Sequence, residues 1–231
     1  MTVVLDLIIL FLCLNLNFNP KLRDMRFFTI LCFSLCAIIQ LNAQTVSYLV
    51  SGDTILQNFN SLPSTTQAIS PLPFNLSASP VSATGLDGWY VSKVGGAFAN
   101  LTVGTGTSNA GGAYNFGSSG SPTDRSLGSL ASTNIPRLGV LITNNTGDTL
   151  TSFVVNFTGE QWRNGGSNNV NKLSFAYKVG ATNVDDASGY VANAAGNFTS
   201  QVSSSTAAAL DGNNTANRAA VSVTITGISW A

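Results

Sequence analysis

The sequence has no histidine, and charged residues make up only 9% of its 231 positions. An average soluble protein carries about a quarter charged residues. Without histidine, these residues cannot form a Ser-His-Asp or Cys-His nucleophile system, a histidine-ligated zinc site or a histidine general base. The chemistry left to the chain is that of carboxylates, hydroxyls, amides and aromatic rings.

Cysteine is equally scarce, and all three cysteines, Cys13, Cys32 and Cys36, lie within the first 43 residues. Residues 44–231 therefore form no disulfide and have no thiol chemistry. That part carries seven basic and eight acidic residues, a net charge of −1, with no basic run. Binding to nucleic acid depends on lysine and arginine contacts to phosphates, so we predict no nucleic-acid partner.

The beginning of the chain has the pattern of a targeting region. Met25 and Arg26 precede an apolar stretch over residues 27–41, and the small Ala43 precedes Gln44. This is the layout of a signal peptide, which predicts translation from Met25, cleavage after Ala43 and a secreted or cell-surface location. Residues 1–24 are interpreted as untranslated, with a membrane anchor as the alternative. We predict no membrane span in the mature chain.

Alternation of apolar and polar residues is the main structural signal after residue 44. It defines three stripes: Phe153, Val155 and Phe157; Leu173, Phe175, Tyr177 and Val179; Val221, Val223 and Ile225. Each stripe predicts a strand with one apolar face, which a second layer must cover, and we expect facing layers to bury the three stripes against one another. We therefore predict an all-β fold for a single domain over residues 44–231, an antiparallel β-sandwich of two sheets.

The segments between these strands yield three further expectations. The turn cluster at residues 144–148 predicts an antiparallel hairpin between the runs on either side. Residues 206–210 are the only expected helical turn. Residues 63–87, 104–112 and 180–202 are expected to be long polar loops, either functional or mobile.

Candidate ligand-binding residues are aromatic or charged. Trp89, Tyr90, Trp162 and Tyr190 are candidates for stacking on sugar rings, although aromatics of a β-sandwich more often belong to its core. Glu160 and Arg163 flank Trp162 and complete the candidate set. A glycosidase needs two facing carboxylates, and Glu160 is the only glutamate, so an ion pair with a nearby arginine is its alternative role.

Three aspartates are candidate calcium ligands, because calcium prefers carboxylate and carbonyl oxygens. They are Asp185, Asp186 and Asp211. None lies in the spacing of an EF-hand loop, and ordinary turns are the alternative interpretation. No cofactor is predicted beyond a structural calcium ion.

A series of blocks resembles a module of bacterial secreted and surface-anchored proteins. The blocks lie at residues 53–63, 88–90, 114–117, 124–128, 143–147, 159–163, 172–177 and 210–213, and Gly-Glu-Gln-Trp-Arg at 159–163 is the most specific. The resemblance implies a jelly-roll-like β-sandwich without established catalytic residues. Such modules continue beyond the position of Ala231, which implies that this chain lacks the last strands of its domain.

Together these observations predict a non-catalytic secreted or cell-surface module, and not an enzyme. Its expected role is adhesion or binding of an extracellular glycan or another cell-surface component. The alternative is an accessory domain of a secreted hydrolase or nuclease whose catalytic domain lies beyond Ala231. A third hypothesis is a hydrolase that uses Glu160.

Overall fold

The computed structural model describes residues 43–119 and 121–231, where strands are the dominant regular structure. The predicted signal segment therefore lies almost wholly outside the described residues. Within them there is no α-helix, and none of their helical segments is long and apolar enough to cross a membrane. Two 3-10 helices cover Ala194–Gly196 and Thr215–Asn217.

Seventeen strands follow one another along the described chain. They are β1 (Val46–Tyr48), β2 (Gln67–Ala68), β3 (Phe74–Asn75), β4 (Trp89–Gly95), β5 (Asn100–Gly104), β6 (Gly112–Ser118), β7 (Ser121–Leu130), β8 (Ile135–Val140), β9 (Ile142–Asn144), β10 (Leu150–Glu160), β11 (Arg163–Asn164), β12 (Lys172–Leu173), β13 (Ala176–Tyr177), β14 (Val191–Ala192), β15 (Phe198–Thr199), β16 (Ala208–Ala209) and β17 (Arg218–Trp230).

These strands form several sheets, which confirms the predicted all-β class. One sheet has four strands in the order β2-β5-β6-β7, and another has three in the order β3-β4-β8. The long strands β10 and β17 form a two-stranded ribbon, and the other pairs are β1-β9, β11-β16, β12-β15 and β13-β14. Two of the pairings, β1-β9 and β5-β6, are parallel, which departs from the purely antiparallel arrangement that we predicted.

The largest buried cluster lies where the sequence predicted a polar loop. Within residues 63–87, Ile69, Leu76 and Leu86 are all 0% exposed. They pack with Val91 of β4 and Leu101 of β5 in one apolar core. The loop prediction is therefore wrong for this segment, because its apolar residues are spaced irregularly among turns and no periodicity marks them as buried.

The ribbon confirms two of the three predicted apolar stripes. Phe153, Val155 and Phe157 of β10 lie opposite Ile225, Val223 and Val221 of β17. Directly opposed residues of an antiparallel pair point to the same face. The two stripes are thus neighbours on one face of one ribbon, whereas we expected them to face each other from two sheets.

Three local predictions differ from the structure. The third stripe is split between β12 and β13, and its ends Leu173 and Val179 are 47% and 40% exposed. The strands on either side of residues 144–148 pair with β1 and β17, so no hairpin forms there. The expected helical turn contains β16, which pairs with β11.

Candidate functional site

Trp162 is the last ring in a stack of three aromatic side chains. Tyr114 and Phe116 are two residues apart on β6 and stack with their ring centroids 5.0 Å apart. Trp162 continues the stack 5.6 Å from Phe116, with the two ring planes 5° apart. Only 4% of Trp162 is exposed, so this ring is part of the core and has no free face for a sugar.

Glycine residues make room for two of the three rings of this stack. A Cβ atom at Gly212 would lie 2.4 Å from the Trp162 indole, and one at Gly128 would lie 2.7 Å from the Phe116 ring. Contacts this close leave no space for a side chain, because folded interiors are packed at nearly crystalline density. Packing against these two rings thus explains why positions 128 and 212 are glycine.

Glu160 binds hydroxyl and indole donors. Its Oε2 accepts hydrogen bonds from Ser126 Oγ and, at 3.0 Å, from Trp162 Nε1. Neither salt bridge found among the described residues includes Glu160, so the predicted arginine ion pair does not form there. The carboxylate instead holds the Trp162 indole in place from its edge.

Arg163, the next candidate, secures a loop. Its guanidinium donates 3.1 Å hydrogen bonds to the carbonyl oxygens of Gly106 and Thr107. Trp162 lies against the same loop, since a Cβ atom at Gly106 would be 1.7 Å from the Trp162 carbonyl oxygen. The Gln-Trp-Arg block therefore ties β10 to the segment that follows β5, which is a structural task.

Trp89 and Tyr90 point to opposite sides of β4, as the alternation of a strand requires. Trp89 packs against the main core and makes an edge contact with Phe59, the two ring centroids being 4.9 Å apart. Tyr90 is 7% exposed, packs with Val184 in a second cluster, and donates a 2.9 Å hydrogen bond to the Gln44 carbonyl oxygen. Both rings are occupied by contacts within the protein.

Tyr190 belongs to a polar cluster on the Tyr90 side of β4. The Arg137 guanidinium lies 5.1 Å from the centre of the Tyr190 ring and donates a 2.9 Å hydrogen bond to the Val184 carbonyl oxygen. The Tyr190 hydroxyl donates to the same oxygen, also at 2.9 Å. Burial raises the pKa of Tyr190 above its ordinary value of 10.0, and the nearby Arg137 charge opposes that rise.

The aspartates of this cluster are bound by protein donors. Asp185 accepts a hydrogen bond from Ser92 and lies 3.8 Å from the Arg137 guanidinium. Asp186 accepts a 2.8 Å bond from Lys178, and this contact, with a further bond from the Thr182 backbone, holds the pKa of Asp186 below its ordinary value of 3.8. The cluster attaches the segment around residue 185 to β4 and β8.

The structure does not assemble the three aspartates into one ligand set. Asp211 lies in a turn where its Oδ1 accepts a 3.1 Å bond from the Asn213 backbone N–H, and its neighbour Gly212 packs on Trp162. Across residues 43–119 and 121–231, no three histidine, cysteine, aspartate or glutamate side chains are grouped to hold a metal ion. Calcium binding stays a prediction from the sequence.

A surface that the sequence did not single out is the outer face of the ribbon, which we define by five opposed pairs. They are Ser152 with Thr226, Val154 with Thr224, Asn156 with Ser222, Thr158 with Ala220, and Glu160 with Arg218. All of these residues are exposed except Glu160, which is partly buried. Alternation in the sequence places each row on one face of a strand, but only the pairing of β10 with β17 joins the two rows.

A shallow groove of about 330 Å³ crosses this outer face. It is lined by Asn156, Phe157, Thr158, Ala220, Val221 and Ser222. Along the described chain, neither strand of the ribbon pairs with any further strand. The groove therefore combines three polar residues, which carry hydroxyl or amide groups, with three apolar ones, and no charged side chain is among its lining residues.

Neither a protein-family model, a curated protein nor a solved structure matches this chain.

Proposed function

We propose that this chain is a non-catalytic binding module, in which the outer face of the ribbon recognises a neutral glycan at the cell surface. The observation that carries the proposal is the groove at Asn156, Thr158 and Ser222. Amide and hydroxyl side chains can both donate and accept hydrogen bonds, and so can the hydroxyl groups of a sugar. An uncharged groove of this chemistry matches an uncharged, hydroxyl-rich ligand.

The availability of these groups supports the proposal. The side chains of Asn156, Thr158 and Ser222 make no hydrogen bond to a residue in the described ranges, so their polar atoms are free for a ligand. By contrast, the aromatic candidates Trp89, Tyr90 and Trp162 are committed to contacts inside the protein. Recognition would therefore rest on hydrogen bonds along the ribbon more than on ring stacking.

A binding role is also favoured over hydrolysis by the environment of Glu160. Glycoside hydrolysis needs a pair of carboxyl groups, about 5–9.5 Å apart, that flank the scissile bond. Glu160 lies at one end of the outer face opposite Arg218, and its Oε2 is already bound to Ser126 and Trp162. We infer that this carboxylate stabilises the end of the ribbon and takes no part in catalysis.

The location and finer architecture belong to the same proposal. Export is supported by the signal-like pattern before Gln44 and by the low charge content. A jelly-roll-like sandwich is supported by the three-stranded sheet, which buries Val91 in one cluster and the adjacent Tyr90 in another, so that both of its faces are covered.

An array of neutral and acidic oligosaccharides tests the proposal, with the affinity of any positive then measured by calorimetry. We expect a neutral glycan to bind, and a Thr158→Ala, Ser222→Ala double variant to lose about tenfold or more in affinity, because each hydrogen bond contributes roughly 0.5–1.5 kcal/mol. The matched control is Ser203→Ala, Ser205→Ala, two exposed serines outside the ribbon. Absence of any bound glycan, or equal losses in both double variants, would contradict the proposal.

A further inference from the structure

The outer face of the ribbon is longer than its groove. The groove lies beside residues 156–158 and 220–222, toward one end of that face. The regular pairing of the strands continues beyond the groove to the pair Ser152 and Thr226. Six residue steps of about 3.4 Å separate Ser152 from Thr158, so the row is roughly 20 Å long, which is the length of about four hexose units in an extended chain. A ligand confined to the groove would leave Ser152 and Thr226 in contact with water alone.

Both ends of this row are marked in the structure. At one end lies the charged pair Glu160 and Arg218. At the other end, Gly227 has a left-handed φ of +69°, and the register of the two strands shifts between Leu150 and Ser152. The uncharged, regularly paired row ends at these two points, which sets the length of ligand that it can contact.

The half of the row outside the groove has free binding groups. The side chains of Ser152, Thr224 and Thr226 are exposed and make no hydrogen bond within the described part of the chain. Val154, in the same row of β10, is 52% exposed. Hydroxyl groups can bind the hydroxyl groups of a sugar, whereas an exposed valine can cover the apolar C–H groups of a sugar ring. This half of the row therefore offers both kinds of contact to a sugar unit.

The dimensions of the ribbon decide how a glycan chain can lie on it. The two strands are only about 4.8 Å apart, so a chain laid across the ribbon meets few side chains. A chain laid along the strands meets a new outward side chain about every 6.8 Å on each strand. An extended chain, such as a β-1,4-linked one, keeps its hydroxyl groups close to such a row. A coiled chain, such as α-1,4-linked glucose, turns away from it.

We propose that the ligand of the outer face is an extended, β-1,4-linked chain of neutral hexoses, bound along the strands through about four units. This inference rests on the proposed function of the same face and names the class of glycan. The groove holds the units at one end of the bound stretch, and Ser152, Val154 and Thr226 contact the units at the other.

The test is an NMR titration of the full chain with β-1,4-linked oligomers of glucose or mannose that have two, four or six units. Oligomers of α-1,4-linked glucose with the same lengths are the controls. We expect the affinity for a β-1,4-linked series to rise about tenfold or more from two to four units, because the added units make further hydrogen bonds. From four to six units it should change by less than about twofold, because the row has ended. The α-1,4-linked series should show no such rise.

A double variant locates the added units. Ser152→Ala, Thr226→Ala should lose about fivefold in affinity for the four-unit chain and keep the wild-type affinity for the two-unit chain. The unchanged affinity for the short chain also shows that the variant is folded. The matched control Ser203→Ala, Ser205→Ala lies outside the ribbon and should keep both affinities.

The results distinguish this inference from the proposed function. Affinity that does not depend on chain length, an equal rise in the α-1,4-linked series, or an equal loss for both lengths in Ser152→Ala, Thr226→Ala would overturn the inference and leave glycan binding standing. The same conclusion follows if none of these oligomers binds while the array shows another neutral glycan. If no glycan on the array binds, both proposals fail.

Discussion

Replacing Trp162 by a smaller residue tests whether this tryptophan belongs to the core or to a binding surface. Trp162→Ala removes the lowest ring of the Tyr114–Phe116–Trp162 stack and leaves a cavity lined by Phe116 and Gly212. Large-to-small substitutions of buried aromatics lower the free energy of unfolding by about 3–5 kcal/mol. For a domain of this size, that loss corresponds to a decrease of roughly 10 °C in Tm.

Trp162→Phe separates the ring contacts from the hydrogen bonds. It keeps a ring against Phe116 but removes the Nε1 donor to Glu160, and a hydrogen bond to a charged group contributes about 1.5–3 kcal/mol. We therefore expect Trp162→Phe to fall between the wild type and Trp162→Ala in free energy of unfolding. Urea denaturation followed by far-ultraviolet circular dichroism measures all three, because that signal comes mainly from the backbone and each curve is fitted to its own baselines.

Leu56→Ala is the control for this series, since Leu56 is 87% exposed. Its free energy of unfolding should stay within about 0.5 kcal/mol of the wild type. If Trp162→Ala were as mild as this control and instead weakened glycan binding, Trp162 would be a surface platform and the assignment of the stack to the core would be refuted.

Three further outcomes follow from the same geometry. Gly159→Ala should lower the free energy of unfolding by about 1–3 kcal/mol, because its Cβ would lie 2.2 Å from the Phe198 ring, whereas Gly165→Ala, in open space, should not; urea denaturation compares them. The Asp186 carboxyl has a lower pKa in the folded chain than in the unfolded chain, where its pKa is about 4. It therefore stabilises the fold fully at pH values above this unfolded pKa, and the stabilisation is lost as the pH falls through the folded pKa. Asp186→Asn should thus flatten the acid side of a Tm-against-pH curve. The raised pKa of Tyr190 predicts that its phenol ionises above pH 10. An absorbance titration at 295 nm should show this ionisation in the wild type and lack it in Tyr190→Phe. If the variant titrated like the wild type, the burial of Tyr190 would be contradicted.

Sequence alternation located the ribbon strands correctly because each one buries a single face. Phe153, Val155 and Phe157 are all more buried than the residues between them, and so are Val221, Val223 and Ile225. The same rule cannot choose the partner of a strand, since it contains no information on pairing. This explains why the two stripes were placed on opposite sheets and why a hairpin was expected at residues 144–148.

The core within residues 63–87 shows a different limit. Ile69, Leu76 and Leu86 are buried in a segment made mostly of turns, with only two short strands. Their spacing in the sequence is irregular, so it does not predict that they are buried. A polar, proline-containing segment has the composition of a surface loop. Only long-range contacts with β4 and β5 reveal it as the largest part of the core.

The candidate site residues were selected for chemical type, and the structure assigns most of them to packing. Glu160 holds the Trp162 indole, and Arg163 binds the loop at Gly106. Tyr190 and the aspartates at 185 and 186 attach another loop. The ribbon's outer face consists mainly of serine, threonine and asparagine, residue types that are abundant everywhere in this chain. Composition therefore could not distinguish this surface, and the pairing of two distant strands was needed to define it.

Mapping of a bound neutral oligosaccharide by backbone amide chemical shifts tests the central claim most directly. We predict that the largest shifts fall on Asn156, Thr158, Ser222 and Thr224, with little change at Trp89 or Trp162. Shifts centred on those tryptophans, with the ribbon unaffected, would contradict the assignment of the ribbon as the ligand surface.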